Sequence, residues 1–448
     1  MSINERNNRG QDCLIIASKS GQLTVVQFLI NHGANINTKD KYSYNSIMHA
    51  TKFGHIKIVD YLISNGCNIN EKNRIGSNSL IIASVMDQYD IAKLLIEKGI
   101  NVNTKNRNYV NALYYAVENG NFRLVVNILI KNDIDINIKY NNGYDALMIA
   151  SQKGYINIVQ VLVNSGINLK HKDNEGWNAL FHATLYNHLD IIKYLINIGF
   201  DINEKDKNGN NLLMIAGLLN HFEIVKFLVE NKINILEKNK YGYNALMAST
   251  ITGNLEIIKY LKDQGLSLDN RSNYGWNALM IASEFGHFEI VKYLIHNHIN
   301  NHEKDLNKCN SLFLSCNNGY LDIVDYLIEK GINIHEKCFN DDTVLMYAAK
   351  NGHLDIVKLL VVKGINIDEK NINGQTALMY ACLYGHFDII KYLIDNKCNF
   401  KLEDNHNKKC IDYANKNIFR YIEKYLHREK NLTIKSKIHR KPLNTNIY

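Results

Sequence analysis

Histidine and cysteine are the residue types in this 448-residue chain that could act as metal ligands, acid–base groups or nucleophiles. Six histidines recur at one spacing, each near a glycine or asparagine turn: His55, His188, His221, His287, His353 and His386. A side chain that returns with every unit of a repeating chain belongs to the unit rather than to one reaction centre. We therefore interpret these histidines as structural.

A looser group is formed by His296, His298 and His302, with Cys309 and Cys316 nearby. Zinc sites need closely spaced ligand pairs, and none of the eight cysteines forms a C-x-x-C pair. Phosphate-binding and nucleophile motifs of the types G-x-x-x-x-G-K-[ST] and G-x-S-x-G are also missing from the sequence. We expect no metal, no cofactor and no enzymatic activity. A site hidden in the irregular fourth unit or in the tenth is the weakest alternative.

The whole chain is organised by a period of 33 residues. A small residue inside motifs such as NALMIAS, here called the marker, recurs at Ala17, Ala50, Ala83, Ala116, Ala150, Ala183, Ala216, Ser249, Ala282, Ser315, Ala348, Ala381 and Ala414. One step is 34 residues long, because an extra residue falls between Gly120 and Val125. We expect a local distortion there. Thirteen units, or repeats, cover residues 7–427.

Glycine positions divide each repeat into helices and turns. Of 26 glycines, 25 lie four or sixteen residues after the marker or seven residues before it. These three columns predict a turn after a first helix, the end of a second helix and a turn between repeats. Asn, Asp or Thr lies five residues before the marker in twelve repeats and predicts a helix N-cap. The sequence predicts an all-α fold of about thirteen stacked helix-turn-helix units joined by short turns.

Several segments resemble the ankyrin repeat. They are Asp206–Gly209, Gly286-His287, Gly352-His353, Gly385-His386 and the run from Leu62 to Asn70, LISNGCNIN. The family's Thr-Pro is replaced by Asn-Ala or Asn-Ser in most repeats, and its histidine by methionine, which implies lower stability than in idealised repeats. The amino-acid sequence of units such as INEKNKYGYNALM is similar to that of repeats in ankyrin proteins of giant DNA viruses of the mimivirus kind.

The resemblance implies an ankyrin solenoid over residues 1–427, with the first and last repeats as caps, followed by a basic flexible tail over residues 428–448. The net charge is +8, and much of it lies in the C-terminal segment that includes IKSKIHRKPLNTNIY. No apolar stretch approaches the length of a membrane span, and the N-terminus has no apolar signal-peptide core. We expect an intracellular, cytoplasmic protein that is monomeric and makes no membrane contact.

In the ankyrin family, partners contact the turn tips and the exposed side of the first helices. In repeats 6 to 9 these positions carry large apolar side chains: Trp177, Tyr186, Leu218, Leu219, Tyr241, Tyr243, Tyr274, Trp276 and Phe285. Because tips should be solvated, we predict that this cluster binds a protein partner on the concave face, a host protein if the chain is viral. The alternative is that the rings shield neighbouring turns.

A nucleic-acid-associated protein is the alternative function. It would use the basic tail together with tip residues Lys41, Arg74, Arg107, Lys207 and Lys240. Its affinity would fall steeply with salt, and the nearly neutral body of the chain argues against it.

Overall fold

The computed structural model describes residues 5–140 and 142–425, without the side chains of residues 125 and 126. Helices dominate this part of the chain, and its only extended pairings are four isolated bridges in turns, such as that between Lys39 and Asn45. The predicted tail over residues 428–448 lies outside the described residues.

Twelve repeats contribute a first helix of two turns. The bounds are α1 Cys13–Lys19, α3 Ser46–Lys52, α5 Ser79–Val85, α7 Ala112–Glu118, α9 Ala146–Lys153, α11 Ala179–Leu185, α13 Leu212–Leu218, α15 Ala245–Ile251, α17 Ala278–Glu284, α19 Ser311–Asn318, α21 Val344–Asn351 and α23 Ala377–Tyr384.

The second helices are slightly longer, with one exception in repeat 4. Their bounds are α2 Leu23–Asn31, α4 Ile56–Ser64, α6 Tyr89–Glu97, α8 Phe122–Leu124, α10 Ile156–Asn164, α12 Leu189–Asn197, α14 Phe222–Glu230, α16 Leu255–Asp263, α18 Phe288–His296, α20 Leu321–Glu329, α22 Leu354–Val362 and α24 Phe387–Asp395.

The predicted N-caps are confirmed in all twelve first helices. In each, the side-chain oxygen five residues before the marker accepts a hydrogen bond from a backbone N–H in the first turn. In α17, for example, Asn277 Oδ1 accepts from Met280 N at 2.9 Å. The residues are Asp12, Asn45, Asn78, Asn111, Asp145, Asn178, Asn211, Asn244, Asn277, Asn310, Thr343 and Thr376.

Replacing Asn277 by alanine is expected to lower the free energy of unfolding by about 1 kcal/mol, because the N–H of Met280 loses its acceptor. Urea unfolding followed by circular dichroism measures the change. The matched control is Asn277→Asp, which keeps a capping oxygen as Asp145 does in α9 and should stay close to wild type. Equal losses in the two variants would contradict the capping role.

The residues of the three glycine columns share a left-handed backbone conformation with positive φ. Every described residue with a positive φ lies in one of them once the inserted residue of repeat 4, which shifts Asp133 by one position, is allowed for, and twelve of these residues are not glycine. Asp87, Asn187 and Asn220, for example, have φ of 55°, 64° and 60° where other repeats carry glycine. The register therefore fixes a left-handed turn at these positions whichever side chain is present.

Two repeats depart from the regular unit. In repeat 4 the short α8 continues into a π-helical turn over Val125–Leu129 and a 3₁₀ turn over Ile130–Asn132. The extra residue is thus accommodated in a wider helical turn. This turn begins at Val125, the end of the interval from Gly120 to Val125 in which the insertion was predicted. In repeat 13 the prediction of a first helix is wrong, because Cys410–Tyr413 forms only a 3₁₀ turn. Lys409 stands at the capping position, and Ala414 has an extended backbone. A helix over residues 416–425 follows.

The described chain forms two compact units. The first comprises residues up to 216 together with 221–234, and the second comprises residues 217–220 together with those from 235 onward. In each unit the core lies between successive helix pairs, where the small marker residues let first helices pack closely. Phe181 in the first unit and Phe313 in the second are the largest side chains that are fully buried.

No helix in the described ranges combines the length and the apolar character needed to span a bilayer.

Candidate functional site

The recurrent histidines connect one repeat to the previous one. Each Nε2 lies 2.9–3.2 Å from a backbone carbonyl near the end of the preceding first helix. A carbonyl only accepts, so the Nε2–H donates in each case. The structural interpretation is confirmed for these six pairs: His55 to Lys19, His188 to Gln152, His221 to Leu185, His287 to Ile251, His353 to Asn317 and His386 to Lys350.

Two other histidines are more deeply buried and were missed as a pair by sequence reasoning. His49 and His182 each donate from Nε2 to an aspartate Oδ2 at 3.0 Å, in Asp40 and Asp173 respectively. Burial lowers the pKa of both imidazoles below the ordinary value. The ring of His182 also packs edge-on against Tyr144, with centroids 4.6 Å apart. These pairs clamp a turn onto its helix.

The loose histidine and cysteine group does not converge. Cys309 contacts Cys338 instead, and both sulfurs approach the hydroxyl of Tyr347, at 4.0 Å and 3.6 Å. Hydrogen bonding from Cys309 lowers the pKa of Cys338, but both thiols are more than nine-tenths buried. Within residues 5–140 and 142–425, no three His, Cys, Asp or Glu side chains are placed to hold a metal ion.

In the first unit the structure describes two of the nine predicted contact residues. Trp177 is half-buried, its Nε1 donates to Asp206 Oδ2 at 3.3 Å, and its ring stacks on Phe181 at 5.9 Å. Tyr186 is exposed, and its hydroxyl accepts from Gln152 at 3.0 Å. Trp177 therefore joins two repeats, whereas the ring of Tyr186 is exposed.

In the second unit the remaining seven residues divide in the same way. Trp276 is half-buried, and its Nε1 donates to Asp305 Oδ2 at 3.2 Å. The indole thus joins two repeats, as that of Trp177 does. Two further residues, Leu218 and Tyr243, are half-buried. The exposed residues are Leu219, Tyr241, Tyr274 and Phe285.

Sequence reasoning missed the continuation of this surface along the second unit. Consecutive repeats 8 to 12 each carry a large exposed apolar side chain at the turn tip, which we call the apolar tip row: Tyr241, Tyr274, Leu306, Phe339 and Ile372. The last three are 70%, 65% and 61% exposed. They lie nine residues before the marker, where most repeats have a polar residue, and that replacement is the sequence signal that could have found them.

Backbone hydrogen bonds hold the apolar tip row in line. Leu306 N donates to Tyr274 O at 3.1 Å, Phe339 N donates to Asn307 O at 2.8 Å, and Ile372 N donates to Asn340 O at 2.9 Å. Each tip is thereby fixed to the one before it. The apolar tip row therefore lies along a strip of adjacent tips that are bonded to one another.

Ion pairs between neighbouring repeats neutralise two of the lysines beside this strip. Lys304 pairs with Glu336 at 3.1 Å, and Lys337 pairs with Glu369 at 2.5 Å. Such exposed pairs contribute little stability individually. Their consequence for recognition is that Lys304 and Lys337 add no unpaired charge beside the apolar tip row.

A sequence profile described as ankyrin repeats (3 copies) matches seven overlapping segments of the chain: residues 14–106, 80–173, 147–239, 213–305, 295–371, 312–404 and 345–435. No curated protein matches the chain.

Proposed function

Because the chain belongs to the ankyrin-repeat family, whose repeats are generally protein–protein interaction modules, we propose that it is a non-enzymatic scaffold that binds a protein partner through the apolar tip row. One observation supports the proposal above the others. Five consecutive turn tips carry large apolar side chains that are between 48% and 70% exposed.

Solvent exposure of such a row is unfavourable unless something covers it. Apolar surface costs about 25 cal/mol for each Å² left in water, and large contiguous apolar patches on soluble proteins mark interaction sites. Aromatic side chains such as Tyr274 and Phe339 are common among residues that dominate binding energy. The interface we propose therefore extends from the predicted cluster in repeats 8 and 9 towards repeat 12.

The triple variant Leu306→Ser, Phe339→Ser and Ile372→Ser is expected to lose a specific set of bound proteins. All three side chains are more than half exposed, so the fold should not depend on them. The measurement is affinity capture of the tagged full chain from cells, followed by quantitative mass spectrometry. We expect at least about tenfold depletion of the partner, corresponding to the loss of a few apolar anchors.

The matched control is Val362→Ser with Leu321→Ser, two exposed apolar residues on second helices of the same unit. This control should retain the partner. Retention of every captured protein by the triple variant, or equal depletion in the control, would exclude the apolar tip row as the binding surface.

We also propose that the partner is a protein of a host cell and that binding takes place inside that cell by a monomeric chain. The host-cell proposal is supported by the similarity of the repeat sequences, such as INEKNKYGYNALM, to those of ankyrin proteins of giant DNA viruses. Localisation of the tagged chain by microscopy tests the compartment, and sedimentation tests the monomer.

A further inference from the structure

Three lysines in repeats 3 to 5 of the first unit carry charge that the fold does not neutralise. Elsewhere in this unit a lysine eleven residues before the marker pairs with a glutamate of the next repeat, as Lys172 does with Glu204 at 2.5 Å. The lysines at the same position in three successive repeats face no carboxylate and form no ion pair within the described part of the chain: Lys72, Lys105 and Lys139. The residues in place of the glutamate are Thr104, Ile138 and His171.

The turns of repeats 3 and 4 have also lost a carboxylate. In repeat 2, Asp40 Oδ1 accepts two backbone N–H groups of the turn, both at 2.9 Å. Asn73 accepts the equivalent pair at 3.1 Å and 2.9 Å, and Asn106 does so at 2.9 Å and 3.2 Å. The turn is built equally well with an amide, so the change removes negative charge from the tips without altering the backbone.

Arginine and apolar side chains complete this surface. Arg74 N donates to Tyr42 O at 3.0 Å, and Arg107 N donates to Ile75 O at 2.9 Å, which aligns the tips of successive repeats. Tyr42, Ile75 and Tyr109 are between 55% and 64% exposed. We define the basic tip surface as Lys41, Tyr42, Lys72, Arg74, Ile75, Lys105, Arg107, Tyr109 and Lys139, all of which are exposed.

We propose that the basic tip surface binds an acidic peptide segment of a partner protein, in which carboxylates alternate with apolar side chains. Arginine and lysine without internal partners are free to pair with carboxylates, and a guanidinium can do so through two parallel hydrogen bonds. The apolar residues between the cations provide contacts for the intervening side chains. This surface is separate from the apolar tip row, and its role does not depend on the function proposed above.

A peptide fits this surface better than a nucleic acid does. The two exposed rings of the surface, Tyr42 and Tyr109, lie on tips separated by that of Ile75, so bases could not stack on successive tips. Asp135 is exposed, and its backbone N–H donates to Asn103 Oδ1 at 2.7 Å, which places an acidic residue next to the segment that carries Lys105. A continuous phosphate backbone would meet that charge, whereas a peptide can place an uncharged residue opposite it.

The test is fluorescence anisotropy of a labelled peptide in which leucine and glutamate alternate, titrated with the full chain. We expect binding that weakens as salt is raised. The charge-reversed variant Arg74→Glu, Lys105→Glu and Arg107→Glu should weaken binding by at least about tenfold, because each change replaces attraction by repulsion. A peptide of glutamate alone should bind more weakly than the leucine-containing one.

Two further variants separate recognition from general charge and from folding. Lys57→Glu, Lys131→Glu and Lys193→Glu make the same change in net charge at exposed residues of the second-helix segments and should shift affinity by less than about twofold. Asn73→Asp with Asn106→Asp restores carboxylates that other repeats tolerate and should weaken binding while the circular dichroism spectrum is unchanged.

Several results would overturn the proposal. They are no binding of the peptide to the wild-type chain, equal weakening by the two triple variants, or full affinity in the Asn73→Asp, Asn106→Asp variant. Tighter binding of a labelled oligonucleotide than of the peptide, sensitive to the same charge reversals, would assign the surface to nucleic acid instead. The capture experiment on the apolar tip row uses different variants, so failure of one proposal leaves the other intact.

Discussion

Truncating Phe181 to alanine is expected to lower the free energy of unfolding by about 3–5 kcal/mol, the range for removing a large aromatic from a packed core. Phe181 is fully buried in α11 and stacks on the half-buried ring of Trp177, with centroids 5.9 Å apart. The cavity would lie between neighbouring repeats, where a stack of short helices gains most of its stability. Urea unfolding followed by circular dichroism measures the loss.

The control for this substitution is Tyr186→Ala, at the C-terminal end of the same helix. Its ring is exposed and its only described polar contact is with Gln152, so the loss should be below about 1 kcal/mol. Comparable destabilisation by the two variants would show that the stability of this repeat does not come from the packing described.

Acidification is expected to destabilise the first unit. Burial lowers the pKa of His49 and His182 in the folded chain, whereas in the unfolded chain both titrate near the ordinary value of about 6.5. The unfolded state therefore binds protons first. The neutral rings contribute their full stability above about pH 6.5, and this stability is lost as the pH falls from there to the lowered folded-state pKa. In this range the free energy of unfolding falls by at most about 1.4 kcal/mol per pH unit for each histidine.

A variant in which both buried histidines, His49 and His182, are replaced checks this slope. Repeat 3 has Ile82 and Asn73 where repeats 2 and 6 have the histidine and aspartate, so the chain itself supplies a compatible pair. His49→Ile, Asp40→Asn, His182→Ile and Asp173→Asn together should reduce the dependence of the urea midpoint on pH between neutral and mildly acidic solution. An unchanged pH dependence would exclude these histidines as its source.

The fold could be predicted in detail because the same capping, turn and small-residue positions recur in successive repeats. The capping residues, the turn columns and the small markers each correspond to one backbone requirement, and even nonglycine residues such as Asp87 adopt the positive φ that the register demands. Two local exceptions were only partly predictable. The π-helical turn at Val125–Leu129 shows where an inserted residue is absorbed, which depends on packing. The 3₁₀ turn at Cys410–Tyr413 follows from the absence of a capping residue at Lys409, the one repeat of thirteen without Asn, Asp or Thr at that position.

The candidate site was harder to predict than the fold, because exposure depends on neighbours from other repeats. Trp177 and Trp276 looked like free tip residues in the sequence, yet each indole donates to an aspartate of the following repeat, Asp206 and Asp305. Leu306, by contrast, is 70% exposed and is an ordinary residue type that attracts little notice. The sequence identified the columns that form the tips, but only the contacts between repeats show which side chains in them are covered.

The histidine bonds have a consequence for how such a chain changes over generations. Each Nε2–H finds its carbonyl 36 residues earlier, in His55 as in His386, so the joint between neighbours is the same wherever it occurs. Gene duplication or deletion of one whole period would leave every surviving joint intact. Length is thus a freely adjustable trait here, and selection can lengthen or shorten the molecule to suit a new target without redesigning its framework.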